Sequence, residues 1–193
     1  MEDVLAALAG LVPDIAAITG AQADGMTRDD GWRLLTIGRQ IERLVSMGEV
    51  LVAYFEHKAV LNESGFDQLL ALFNSTITYR SRYQGQRDLA ALIDLLVLDA
   101  ANPRSLACAA ATIARELALL SEATGHAFAW AEAGYFLRSR ELLLVELCRR
   151  DPQDRYVNLL ERARALVAAA RSLSNRLGLR YFSHSEPLRS QIV

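Results

Sequence analysis

Between Leu34 and Phe55 the apolar residues and glycines recur at steps of three and four: Leu34, Ile37, Gly38, Ile41, Val45, Gly48, Val52 and Phe55. That period lays one continuous stripe along a helix. Thr27, Asp29 and Asp30 stand just ahead of it as N-cap candidates, and aspartate also suits the positive end of the helix dipole. The stretch from Thr27 to Phe55 is therefore predicted as one long helix that the rest of the chain must cover. At about 100° per residue, Arg39 and Arg43 fall toward the far side of it. Glu42 is placed about 80° from the stripe's centre, with Glu49 near the same edge. A carboxylate there needs a cationic partner, because partial desolvation disfavours a lone charge. Gly38 and Gly48 weaken the helix and point to close approach by a neighbouring backbone.

The other segments agree with an all-α chain. An Ala/Leu-rich helix is expected over Glu2–Thr19, interrupted near Gly10 and Pro13, then a loop from Gly20 to Met26. One amphipathic helix is expected from Phe66 toward Tyr83, and a short apolar one over Leu89–Leu98. Asn102 and Pro103 are read as cap and first turn of an Ala-rich helix running from Ser105 to Ser121 and ended by Gly125. A single helix follows over Phe128–Arg150, broken by Asp151-Pro152. A last one covers Tyr156–Leu177, with Gly178 as its C-cap and a fraying tail beyond Ser183. The expected architecture is a bundle of six or seven helices. No run alternates with a period of two, and no repeat of 20–50 residues stands out.

With 193 residues, 52% of them hydrophobic, one sizeable core can form. A formal charge of −2 provides no global basic field, and no nucleic-acid partner is expected. The acidic opening MEDVLAALAG lacks the basic start of a signal peptide. No apolar run reaches the roughly twenty residues of a membrane span, so a cytoplasmic protein with no membrane partner is expected. Cys108 and Cys148 lie in apolar helical patterns and read as free, buried thiols.

The segment DGWRLLTIGRQIERL resembles the Gly-Arg-x-x-Glu-Arg signature of the bacterial Alpha-E family. TYRSRY (Thr78–Tyr83), LDAANPRSLA (Leu98–Ala107) and YFSH (Tyr181–His184) resemble further stretches of it, in the same order. Family members usually carry an earlier half with its own Glu-Arg helix, so this chain is expected to represent the C-terminal part, with 1–182 as the helical domain and 183–193 as a tail. The resemblance implies association with circularly permuted ATP-grasp proteins and transglutaminase-like proteins, and a part in ATP-dependent amide or peptide bond formation.

The residues themselves carry no P-loop, dinucleotide fingerprint or nucleophile elbow. His57, His126 and His184 lack helical metal-site partners, so no metal or cofactor is expected and no catalytic residue is assigned. What stands out is a polar constellation: Arg39, Glu42 and Arg43; Tyr79, Arg80, Arg82 and Tyr83; Asn102, Arg104 and Ser105. If the helices converge, the arginines, tyrosines and a helix N-terminus could bind a carboxylate or phosphate. Alternatively, Glu42 pairs with Arg104 or Arg80 and sets helix register. The arginines at 162, 164 and 171 read as a solvated face interleaved with Glu161. Three functions fit: an accessory, partner-binding domain of a ligase system; an enzyme component that binds an amino-acid or peptide carboxylate; and a helical module for homo-oligomerisation.

Overall fold

The computed structural model describes residues 2–183 and is helical throughout, with no strand among them. Most of the tail expected to fray, 184–193, lies outside the described residues. Nine α-helices form among the described residues: α1 (Glu2–Gly25), α2 (Asp30–Glu56), α3 (Glu63–Leu72), α4 (Thr76–Tyr83), α5 (Leu89–Ile93), α6 (Leu106–Thr124), α7 (Glu132–Tyr135), α8 (Arg140–Cys148) and α9 (Val157–Tyr181). A 3₁₀ turn follows α2 at Ala59–Leu61, and a π-helical turn over Asp94–Leu98 continues α5. None of these helices is long and apolar enough to cross a membrane.

α2 organises the bundle. Asp29 caps it by accepting from the Trp32 amide at 3.1 Å, which satisfies one of its four free N–H groups. α6 and α9 pack along it from two sides. This double cover rotates and widens the buried face relative to the sequence expectation. Ile37, Ile41, Gly48 and Phe55 are buried as the stripe requires, but Leu44, Met47 and Leu51 join them while Gly38 is exposed. Gly48 marks the crossing with α9: a Cβ there would lie 2.6 Å from Val167 Cγ2. Gly38 has no such neighbour.

Several expected helices end early for local reasons. The helix read from Phe66 to Tyr83 is two, because Asn74 adopts φ 47°. The Ser75 amide then bonds to the Leu70 carbonyl and the Asn74 amide to that of Ala71, the double closure of a Schellman end. The helix expected over Phe128–Arg150 is only α7 and α8, joined by irregular chain. Ahead of α7, Trp130 donates to the Ala110 carbonyl at 3.1 Å, and at the end of α7 Arg162 lies 4.0 Å over the Tyr135 ring. Tertiary contacts thus replace a regular ladder. Conversely, α1 runs through Pro13 and on to Gly25, and α9 passes through Gly178 to Tyr181.

The arginines of α9 are not a uniform solvated face. Arg164 pairs with Glu56 at 2.7 Å and Arg171 with Glu49, both on α2, while Arg162 is mostly buried against Glu132 and Tyr135.

Candidate functional site

The polar constellation divides into two places. The first is built around the turn that follows the π-helical segment. Asp99 is 2% exposed, yet its carboxylate contacts Arg82 from α4, lies 3.7 Å from Arg140 of α8, and accepts from the Ala101 amide at 3.0 Å. Its carbonyl accepts from Ser105 Oγ at 2.6 Å. Asn102 donates to the Leu95 carbonyl at 3.0 Å and accepts from the Arg104 amide at 3.1 Å. The cap of α6 is Ser105, which accepts from the Cys108 amide at 3.0 Å; Asn102, expected in that role, braces the turn instead. A polar side chain this deep must satisfy its hydrogen bonds internally, and here it does.

Tyr79 serves the same end of the fold. Its hydroxyl donates toward the Gln86 carbonyl at 2.8 Å and the Asp88 carbonyl at 3.2 Å, and accepts from the Asp88 amide at 3.1 Å. Tyr83 bonds to Asp94 at 3.0 Å, and Arg140 grips the same carboxylate through two nitrogens at 2.5 and 2.6 Å. That hydrogen bond, against the opposing effect of burial, raises the Arg140 pKa. Sequence reading missed Asp94, Asp99 and Arg140. Asp99 lay inside a quoted motif, whereas Arg140 is far away in the chain and only the tertiary fold brings it here.

Burial pushes the Tyr83 phenol up to about 12, helped by its hydrogen bond to Asp94 and that group's charge. Burial likewise raises Tyr135 to about 12, with Glu146 adding to it, and shifts Tyr79 and Tyr156 upward. A phenol raised above its unfolded value of about 10 stabilises the fold fully below that pH, and the contribution is lost as pH rises through the folded value. Absorbance at 295 nm and circular dichroism, followed together from pH 9 to about 12.5, should show phenolate formation arriving with unfolding. Titration of all six tyrosines near pH 10 in a folded protein would contradict this burial.

The second place is the outward side of α2. The observed buried arc, centred near Ile37 and Leu44, leaves Glu42 about 150° away. Glu42 is accordingly exposed and enters no ion pair among the described residues, so the expected pairing with Arg104 or Arg80 does not form. Arg80 rides on α4, which packs chiefly on α3. Arg104 approaches Arg43 instead, and burial together with that like charge lowers the Arg43 pKa. Arg43 also reaches the Pro103 carbonyl at 3.5 Å, which links the two places. Arg39 donates to Gln22 at the end of α1. Around Arg39, Glu42 and Arg43 opens a cavity of about 820 Å³, walled by Thr19, Gly31, Leu34, Leu35, Gly38 and Phe182.

The arrangement offers two arginines and one carboxylate over an apolar floor. Among the described residues no three His, Cys, Asp or Glu side chains gather where they could hold a metal ion. Cys108 and Cys148 are free and half-buried, and burial raises the Cys148 thiol, which holds it in the unreactive form.

The pattern of the Alpha-E family, described as a predicted alpha-helical domain with a conserved ER motif, matches residues 2–182. This chain belongs to the Alpha-E family. Curated relatives include Uncharacterized protein Mb2597 of Mycobacterium bovis and Uncharacterized protein Rv2567 of Mycobacterium tuberculosis, each 31% identical over 102 residues. Each match covers 51% of this Alpha-E chain but 11% of the relative. No solved structure matches the chain. Two Glu-Arg pairs occur in this Alpha-E protein, and they differ in setting: Glu42-Arg43 borders the cavity, whereas Arg162 is engaged inside by Glu132.

Proposed function

We propose that this Alpha-E chain is a non-catalytic accessory domain of an ATP-grasp-linked system that forms amide or peptide bonds in the cytoplasm. Its partner is an ATP-grasp-type protein, with a transglutaminase-like protein as a second. The partner classes come from the family resemblance. The observation that carries a docking role over a reacting one is the state of the polar groups. Tyr79, Asp99, Asn102 and Ser105 spend their hydrogen bonds on neighbouring backbone and on arginines of the same chain. Groups so engaged build a rigid surface and have little capacity left for a substrate. Arg80 and Arg104, exposed beside them and in no ion pair among the described residues, suit an acidic patch on a partner. That the match spans a small share of far longer relatives supports a module working within a larger assembly.

Titration calorimetry against the ATP-grasp protein of the same system tests this. A complex at low micromolar concentration is expected, weakened at least tenfold, or by about 1.4 kcal/mol, by Arg80→Glu with Arg104→Glu. No complex at about 100 µM, or ATP-dependent amide formation by this chain alone, would end the reading. A second reading has Arg39, Glu42 and Arg43 bind an amino-acid or peptide carboxylate, favoured by the cavity they border. It requires a rise in melting temperature with such a ligand that Arg43→Lys abolishes.

A further inference from the structure

We infer that a second copy of this chain covers the apolar stripe of α1, the two copies exchanging these helices across the cavities beside Arg39 and Arg43. Six aliphatic residues of α1, Val4, Leu8, Leu11, Val12, Ile15 and Ile18, are each 51–65% exposed. Their spacing puts them in one arc of the helix, and an arc of that kind ordinarily faces a core or a partner. The arc is continuous with the cavity. At about 100° per residue, Thr19 and Gln22 fall within it. Thr19 walls the cavity, and Gln22 accepts from Arg39. α1 and the outward side of α2 therefore form two walls of one open cleft.

The occupant is argued from length and charge. The stripe from Val4 to Ile18 is about 21 Å long, and the run of α2 from Gly31 to Arg43 that borders the cavity is about 18 Å. A helix like α1 thus fits the cleft it helps to form. The α1 sequence contains four acids, Glu2, Asp3, Asp14 and Asp24, but no lysine or arginine, and Asp14 lies about 40° outside the arc's edge. The cleft offers Arg39 and Arg43 against a single carboxylate, Glu42, so its charged lining is net positive, and neither arginine is in an ion pair among the described residues. An α1 arriving from another copy brings apolar side chains to Leu34, Leu35 and Phe182 and a carboxylate to the arginines. The reverse contact is the same by symmetry, so the association closes at two copies. Two α1 helices paired without the clefts would set acid against acid. This dimer stands independently of ATP-grasp docking and excludes the small-carboxylate reading, since protein fills the cavity.

Sedimentation of the full chain between about 1 and 100 µM tests it, a range that brackets a micromolar dissociation constant. The expected result is a concentration-dependent dimer. Leu11→Glu with Ile15→Glu should yield monomers whose helicity and melting are kept, because both side chains lie outside the core. Asp14→Arg or Arg39→Glu should each weaken the dimer at least tenfold, and together they should recover part of that loss. A monomer throughout, a dimer indifferent to the α1 and Asp14 substitutions, or a free amino acid occupying the cavities of the intact dimer would overturn the exchange.

Discussion

Gly48→Ala is expected to destabilise the protein by about 1 kcal/mol, and the same change should be neutral or mildly stabilising once Val167 is alanine. At Gly48 two opposing effects meet. An alanine inside a helix gains roughly 1 kcal/mol over glycine. Its Cβ, however, would lie 2.6 Å from Val167 Cγ2, well inside contact distance. Val167 is β-branched and nearly buried, so it cannot swing aside without cost. Overpacking of this kind costs about 1–3 kcal/mol, which outweighs the propensity gain. Val167→Ala removes the obstacle and leaves the gain. Urea denaturation of the two single variants and the double variant measures the coupling, expected to exceed about 1 kcal/mol. Additive behaviour would mean that α2 and α9 do not cross at Gly48.

Asp99→Ala should cost about 2–3 kcal/mol, and Asp99→Asn roughly half of that. The carboxylate is almost fully buried, but Arg82 and Arg140 are 44% and 48% exposed. Removal of Asp99 thus leaves two arginines that water can still reach, which keeps the cost below the roughly 3–5 kcal/mol of a fully buried broken pair. Asparagine retains an acceptor for the Ala101 amide and loses the charge. Chemical denaturation of both variants decides this. A loss from Asp99→Ala under about 0.5 kcal/mol would show that the turn does not depend on this hub.

How much of this was legible beforehand varies from residue to residue. The long central helix and its Asp29 cap followed from local spacing and local chemistry. The break at Asn74 did not, because a left-handed residue interrupts an apolar pattern without altering its period. Leu44, Met47 and Leu51 went unassigned to the buried face because a single stripe presumes one neighbour, whereas α6 and α9 clasp α2 from two sides. The same rotation turns Glu42 outward. The polar residues expected to converge on one constellation lie instead in two places, one around Asp99 and one beside the cavity on α2. Arg140 lies 41 residues after Asp99, and nothing in the chain between them announces that the two meet.

Taken alone, the amino-acid order determined that this protein is all-helical, which stretch lies at its centre, and which charged motifs mark it as an Alpha-E chain, because helix period and capping are properties of a few adjacent residues. Only the tertiary structure decided which carboxylate each arginine meets and, among the described residues, that Glu42 borders a cavity rather than an ion pair and that the stripe of α1 is left uncovered. Those outcomes depend on helix rotation and on contacts between residues tens of positions apart, where a turn of about 100° per residue exchanges a buried side chain for an exposed one.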